Sequence, residues 1–453
     1  MTSRHRGLSL ALREVVLFMK FDERSFRRDA ETNTRDACAT RKTAAVALVN
    51  DRLSGTLVAM DEPFRDELDQ LRARSLLRRL REIGSAQGPN VELVGQHLVN
   101  FSSNDYLGLA ADERLRAAAT HAIEQFGVGA GASRLVSGTQ SPHVALERAI
   151  AKWKNVPAAI AFNSGYAAAV GTLPAMAGKN DVIVLDKLAH ASLVDGARLS
   201  GASIRVFPHN HLGKLESHLE WARREKPDAR IIVVTESVFS MDGHRAPLRE
   251  IVELKSRFQA LLLLDEAHAV GVIGPNGCGL AAEEKLSVDI QMGTLSKALG
   301  AAGGYICGST SLIDWLTNRA RSFIYSTAPP AAVATAAIAA IEFLQTPEGE
   351  NRRRALWKNI ELLYQLLASE TNRKPESAIF PLIIGQENDA MTFAHALQKE
   401  GFFVPAIRYP SVARGTARLR ITLTAVHAES QIRALVDSIR RCSNRQGVID
   451  AAE

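Results

Sequence analysis

The sequence predicts an α/β protein: a large domain with a mostly parallel sheet between helices, then a smaller C-terminal α+β domain. Three observations carry that expectation. Short runs rich in Val, Ile and Leu recur between residues 158 and 309 without polar alternation, the pattern of strands covered on both faces. Stretches of helical character lie between many of them, and strand alternating with helix implies parallel pairing. After about residue 345 the order becomes charged helix, strand, helix, strand pair and helix.

Taken in order, residues 1–59 mix Arg, Asp, Thr and Ala without sustained periodicity and read as a leader, disordered or outside the fold. Met60 begins "DEPFRDELDQLRARSLLRRLREI", with an acidic, Pro-containing first turn and apolar residues at helical spacing, so 60–105 is expected to be an N-terminal helical arm. The large domain is expected over 106–345. Its strands are "AAIAFNSG", "DVIVLD", "SIRVFPHN", "RIIVVTES", "ALLLLDEAH", "DIQMGTLSK" and "GGYICGS", with helical stretches such as "APLREIVELKSRFQ" between them. The apolar run "AVATAAIAAIEFL" follows a Pro-Pro pair and carries Glu342, which suits a packed helix. The small domain, 346–445, holds "NRRRALWKNIELLYQLLAS", the strand "IFPLIIG", the helix "DAMTFAHALQKEG", strands near "FFVPAI" and "ARLRITLT", and a closing helix.

Composition excludes several classes. With 453 residues, 46% hydrophobic and 23% charged, this is an ordinary globular chain of two or three domains. The net charge is +6, but residues 1–59 hold 11 Lys and Arg against 7 Asp and Glu, so the remainder is nearly neutral. A nucleic-acid binder would carry a basic face on its folded part. No stretch reaches the roughly 20 apolar residues of a membrane span, and "GLSLALREVVLFMKF" is broken by Arg13 and Glu14. Cys38, Cys278, Cys307 and Cys442 are scattered without a CxxC pair, which suits a reducing cytoplasm and argues against a metal site.

Ligands of parallel α/β sheets collect at the C-terminal strand ends. Ser240 and Asp242, Asp265 and His268, and Lys297 stand there. An aspartate closing "LLLLD" is expensive to bury unpaired; the plain alternative is a carboxylate capping the next helix. His268 lies three residues on, and Lys297, amid the small residues of "GTLSKALG", lies 32 residues downstream. One physical system wants all three, a pyridinium cofactor: Asp265 keeps the ring nitrogen protonated, His268 sits near the phenolic oxygen and Lys297 bonds covalently. Pyridoxal phosphate (PLP) needs such a carboxylate to act as an electron sink. The glycines of "GVGAGAS" follow a helix-like stretch instead of a strand, which argues against a dinucleotide loop.

These residues stand within a longer likeness. "NFSSNDYLGLA", "GASRLVSGTQSPHVALE", "FNSGYAAA", "DKLAHASLVDG", "TESVFSMDG", "LDEAHAVGVIGPNGCG", "GTLSKALGAAGGYI" and "IYSTAPPA" occur in order, and the chain from Met60 to about residue 440 resembles the α-oxoamine synthases, a family of fold-type-I PLP-dependent transferases. The resemblance implies that Lys297 carries the cofactor, that Asp265 faces its ring nitrogen, and that His268 and Ser240 lie near the ring oxygen. His190 would stack on the ring and act in catalysis beside Lys297 and Asp265. Gly165 and Tyr166 would offer N–H groups to the phosphate, where a helix start favours anions. Thr294 would add a hydroxyl, and Ser326 or Thr327 would reach the phosphate of a neighbouring subunit in a homodimer with shared sites. Arg420 would clamp the amino-acid carboxylate, and Asn104, Arg408 and Ser411 would contact substrate. Strand alternation puts Arg418 and Arg420 on one face, so spacing does not choose between them.

Within the family, "RLVSGT" and "AIRYPSVARGTARLRITLTA" look most like the branch that joins L-alanine to a pimeloyl thioester, carried by coenzyme A or acyl carrier protein, in biotin biosynthesis. Sister branches use glycine or serine with acetyl, succinyl or palmitoyl thioesters. Ala169 and His244 depart from the family's usual Asn and Asp, which bears on acyl-chain recognition and leaves the reaction class untouched. An aminotransferase and a cofactor-free binding protein are the more distant alternatives.

Overall fold

The computed structural model describes residues 62–368 and 374–446, in two compact units that divide after Leu77. The leader over 1–59, Cys38 with it, lies outside the described residues. In the first unit, residues 62–73 are helical, and Arg72 pairs with Asp69 one turn earlier.

The second unit corrects the expectation of a helical arm through residue 105. Residues 90–100 form a hairpin instead, β1 (Asn90–Leu93) and β2 (Gln96–Asn100), turning at Val94 and Gly95 with φ of 49° and 76°. Two positive φ values in a two-residue loop match the twist of paired strands. The buried Val91 and Leu93 alternate with polar neighbours, a period of two that the notably helical stretch before it obscures. The strand β2 then pairs in parallel with a short C-terminal strand, β11 (Phe402–Phe403).

The large sheet has the seven expected strands: β3 (Ala158–Phe162), β4 (Val182–Asp186), β5 (Ser203–Phe207), β6 (Ile231–Glu236), β7 (Leu261–Asp265), β8 (Ile290–Thr294) and β9 (Gly304–Gly308). Their spatial order is β3-β9-β8-β7-β6-β4-β5, and β9 alone runs antiparallel to its neighbours. Alternate residues feed two cores. Val182, Val184, Ile231, Val233, Leu262 and Leu264 join one. Ile183, Leu185, Ile232, Val234, Leu263 and Met292 join the other, under the helices Gly165–Met176 and Ala191–Ser200. Each such side chain contributes about 1.5–3 kcal/mol by leaving water, which explains the lack of polar alternation in the sequence.

A second sheet of β10 (Ile379–Gly385), β13 (Ala417–Thr422) and β12 (Ala406–Ile407) is antiparallel. The segment after β2 is fastened to it: Thr422 N–H donates to Phe101 O at 2.8 Å and Ala425 N–H to Tyr106 O at 2.7 Å. Residues 100–106 therefore lie along the strand that carries Arg418 and Arg420. No helix among the described residues is long and apolar enough to cross a membrane.

Beneath the ends of β7 and β8 a buried ion pair joins Lys154 to Glu266, and Lys154 also donates to Cys278 O. Burial alone would lower the Lys154 pKa; Glu266 beside it outweighs this and raises the pKa above its ordinary value. Glu266 also accepts from Ala281 N–H at 3.0 Å, and a Cβ at Gly279 (φ 104°) would fall 2.5 Å from its carboxylate. That loop can close around Glu266 only with glycine there. Lys154→Met should therefore lower the unfolding free energy by roughly 3–5 kcal/mol, because it leaves a buried carboxylate without its counter-charge; an unfolding free energy from urea titration lowered by less than about 1 kcal/mol would contradict this.

Candidate active site

Three neighbouring strands end together. Glu236 on β6 and Asp265 on β7 are register partners, and Asp265 pairs with Met292 two residues before the end of β8. Glu236, Asp265 and Thr294 fall on the face covered by the Gly165–Met176 helix, since each continues the alternation of Val234, Leu263 and Met292. A tight turn after β8, with Gly300 N–H donating to Lys297 O at 2.9 Å, brings Lys297 back over these ends.

Lys297 is held by a hydrogen-bonded chain. Its Nζ lies 2.7 Å from His268 Nε2, and His268 Nδ1 lies 2.6 Å from the Tyr106 hydroxyl. Tyr106 in turn donates to Asn104 Oδ1 at 3.3 Å. Burial holds His268 well below the ordinary imidazole pKa, and Lys297 and Arg420 push it further down. A neutral ring has one donor and one acceptor. With the ammonium donating to Nε2, Nδ1–H donates to Tyr106, whose own proton passes to Asn104. Every group in the chain then has a partner of the right kind.

Lys297 itself is pushed down to about 8, by burial first, while Asp265 and Glu236 draw it up and Arg420 draws it down. Burial raises the Asp265 carboxyl above its ordinary range, opposed by Lys297 and by the Ala267 N–H that donates to its Oδ1 at 2.9 Å. The lysine amine and the aspartate carboxylate therefore sit close enough to tune one another. Lys297 does not bond to it directly in the hydrogen-bond network; His268 receives that contact.

His190 caps the helix Ala191–Ser200. Its Nδ1 accepts from Ser192 N–H at 3.2 Å and lies 2.8 Å from the Ser192 hydroxyl. Nδ1 thus bears no hydrogen, and Nε2–H is the free donor on an exposed ring edge. Partial desolvation lowers its pKa first; Asp265 raises it and Lys297 lowers it. The loop carrying His190 is pinned by buried Asp186, which accepts from Leu188 N–H at 2.8 Å and from Asn210 N–H at 3.0 Å.

The two arginines of β13 divide. Arg418 is spent on Asp242, 2.6 Å away. Arg420 enters the centre: Nε donates to Ser240 O at 2.6 Å, one terminal nitrogen to Asn104 Oδ1 at 3.1 Å and the other to the Tyr106 hydroxyl at 3.5 Å. Ser240 thus meets Arg420 through its backbone carbonyl. Among the expected residues, Lys297, His268, Asp265, His190, Ser240, Asn104 and Arg420 are gathered. Tyr106 and Glu236 are part of the same centre and were not singled out in the sequence. Tyr106 stands inside the quoted "SNDYLG", where an aromatic residue reads as core; Glu236 stands at the end of "RIIVVTE", as Asp265 does at the end of "LLLLD".

Gly165 opens the helix that begins beside Thr294. Ser164 caps it, accepting from Ala167 N–H at 3.0 Å, and the N–H groups of Gly165 and Tyr166 are among the free donors of any helix start. A Cβ on Gly304 would lie 2.6 Å from Gly165 Cα, so β9 crosses the helix start in backbone contact. Thr294 donates to Gly303 O at 3.0 Å at the same place. The Tyr166 hydroxyl turns away to Asp195 at 3.0 Å. These residues fit PLP: a glycine-lined helix start for a phosphate, a buried carboxylate for a ring nitrogen and a lysine of depressed pKa for the covalent bond.

Two expected groups stand elsewhere, each with partners of its own. Thr327 accepts through its carbonyl from Asn163 Nδ2 at 3.0 Å and bridges Ser133, with Ser326 beside it. Arg408 and Ser411 lie with Arg78, which donates to Ser411 at 3.2 Å; burial and then Arg78 and Arg81 lower the Arg408 pKa.

The Lys297 amine should react with an amine-directed acylating reagent with a half-maximal rate near pH 8, a signal lost in Lys297→Ala. In Asp265→Asn the midpoint should fall, because the carboxylate that favours the ammonium has gone; an upward shift would contradict the arrangement.

The family model for aminotransferase class I and II matches residues 96–439. The 8-amino-7-oxononanoate synthase of Geobacter sulfurreducens is 44% identical over 394 residues, 86% of this chain and 100% of that protein. The one from Anaeromyxobacter dehalogenans strain 2CP-1 is 47% identical over 371 residues, 81% of this chain and 92% of its own. Serine palmitoyltransferase from S. paucimobilis, solved with bound PLP, superposes with a TM-score of 0.81 at 29% identity, covering 87% of this chain and 100% of that one. The 8-amino-7-oxononanoate synthase of Francisella tularensis gives 0.66 at 27%, covering 78% and 99%. With the model spanning most of its length and such relatives beside it, the chain belongs to the aminotransferase class I and II family, among the PLP-dependent α-oxoamine synthases.

Proposed function

We propose that the chain condenses L-alanine with a pimeloyl thioester, of coenzyme A or acyl carrier protein, to give 8-amino-7-oxononanoate, CO₂ and the free thiol in the cytoplasmic biotin pathway. The likeness to 8-amino-7-oxononanoate synthases over more than four-fifths of the chain supports the substrate pair. The carrying observation in the site is Lys297, of depressed pKa, held between His268 and the Asp265 field with Arg420 opposite.

Each residue has a task that its surroundings allow. Arg420 presents two terminal nitrogens toward Asn104 and Tyr106; a substrate carboxylate would take over those donors, a paired contact suited to a guanidinium. Lys297, near neutral pKa, takes the α-proton of alanine at Nζ and later returns a proton to the product carbon. PLP, when bound, supplies the electron sink for the pair left at that carbon. Asp265 would face its ring nitrogen, and His268 and Ser240 would flank its ring oxygen. His190, with Nε2–H free, would stack on the ring and donate to the thioester oxygen as charge develops there. Gly165, Tyr166 and Thr294 would hold the phosphate, and Ser326 or Thr327 of a second copy would complete it in a homodimer. Arg408 and Arg78 would offer positive charge, and Ser411 a hydroxyl, to the acyl substrate.

A second reading is a sister synthase using serine or glycine, favoured by the closer superposition on serine palmitoyltransferase. Offering alanine, glycine and serine against acetyl, succinyl, pimeloyl and palmitoyl thioesters separates the two by thiol release. Alanine with the pimeloyl thioester should lead; preference for any other pair overturns the first reading. Lys297→Ala should lack the visible absorption of the loaded protein and release no thiol. Arg420→Ala should raise KM for the amino acid about 10- to 100-fold, the value of a lost charge-assisted contact, with KM for the thioester little changed.

A further inference from the structure

Glu236 has no task in that scheme, yet it is 2% exposed and ends its strand beside Asp265. Paired residues of neighbouring parallel strands point to one face, so two carboxyl groups enter the same dry corner. Oε1 of Glu236 is buried with no hydrogen-bond partner among the described residues. The backbone N–H groups of His190 and Ser240 face the carboxyl, and the partnerless Oε1 is the atom able to carry a proton. The charged groups that face it are Asp265 from β7 and Lys297 from the turn after β8; the β4 loop offers only the His190 N–H. One ammonium thus serves two acids.

An ionised Glu236 would put a bare anionic oxygen next to a second anion, away from water, and a single proton removes both costs. The surroundings favour that proton: burial raises the carboxyl well above its ordinary range, Asp265 adds to the rise, and Lys297 with the two N–H groups only opposes it. The same carboxyl faces both loops of the site. Ser240, on one of them, presents the carbonyl that receives Arg420 Nε at 2.6 Å.

We propose that Glu236 is a proton-bearing positioning residue: its neutral carboxyl leaves Asp265 the single anion at the strand ends and fixes the His190 and Ser240 loops through their N–H groups. The positioning role rests on the reading of the site given above; the proton does not. Three measurements on the full-length chain test it. Infrared difference spectra at neutral pH, wild type against Glu236→Gln, should show a protonated-carboxyl C=O band that the variant lacks.

The unfolding equilibrium gives an independent sign. A carboxyl whose folded pKa exceeds its unfolded one contributes stability that is full below the ordinary carboxyl range and is lost as pH rises through the folded value. Wild type should therefore lose folding equilibrium constant relative to Glu236→Gln by up to about tenfold per pH unit from about pH 5 upward. A difference independent of pH overturns the proposal.

Kinetically, Glu236→Leu should raise KM for the amino acid more than it lowers kcat, because the Arg420 carbonyl anchor slips, and Gln should recover most of that KM. Gln as damaging as Leu shows that a negative charge is required and overturns the proposal. If the Gln chain does not fold, the wild-type spectrum still decides: no protonated-carboxyl band at neutral pH is fatal. Failure of the pimeloyl assay leaves the band untouched, so the two readings fail separately.

Discussion

The structure turns on the cost of keeping ionisable groups away from water at the ends of β6, β7 and β8. Desolvation is the largest influence on Lys297, Asp265, His268 and Glu236 alike. A parallel sheet with helices on both faces is dry along its length, and only its carboxyl ends open. Groups placed there must be answered by one another. Lys297 answers Asp265 through the field and His268 through a hydrogen bond, so the amine is neither a solvated surface cation nor a fully paired one. That intermediate state, with a pKa of about 8, is what a covalent and proton-transferring lysine requires.

The small sheet completes the centre from outside. Arg420 reaches it because β13 is stitched to residues 101–106, and the same stitching delivers Tyr106 to His268 and Asn104 to Arg420. A carboxylate arriving at Arg420 would displace contacts to Asn104 and Tyr106. It would therefore act on the chain of hydrogen bonds that ends at Lys297. Arg420 and Lys297 are thus linked by hydrogen bonds through Asn104, Tyr106 and His268, drawn from both parts of the fold.

Much of this was legible in the sequence, for a physical reason. Six of the seven strands lie inside an apolar run because both faces are buried, the edge strand β5 being the exception, and Asp265 stands out since a charge at the end of "LLLLD" is costly. The β1–β2 hairpin was not legible: only Val91 and Leu93 mark its inner face on the first strand, and its third strand, β11, lies some three hundred residues away. Arg418 and Arg420 are equivalent to any argument from a period of two. The distinction lies in Asp242, 176 positions away along the chain, which occupies Arg418. Tyr106 reads as core and is indeed fully buried, but its hydroxyl is what holds His268. Burial was predictable there; the partner was not.

Asp265 and Glu266 show why adjacent acids can have opposite fates. Consecutive residues leave a strand on opposite faces. Asp265 turns toward the helix Gly165–Met176 and meets a lysine shared with Glu236, whereas Glu266 turns into the other core and meets Lys154 alone. Glu266 has a counter-charge and an N–H donor from Ala281, and these contacts tie it into the loop around Gly279. Asp265 has a divided counter-charge and a neighbour of its own sign, so its ionisation depends on what the open end of the sheet receives. A cationic ring nitrogen placed there would supply the other half of its partnership, as the ammonium of Lys154 does for Glu266.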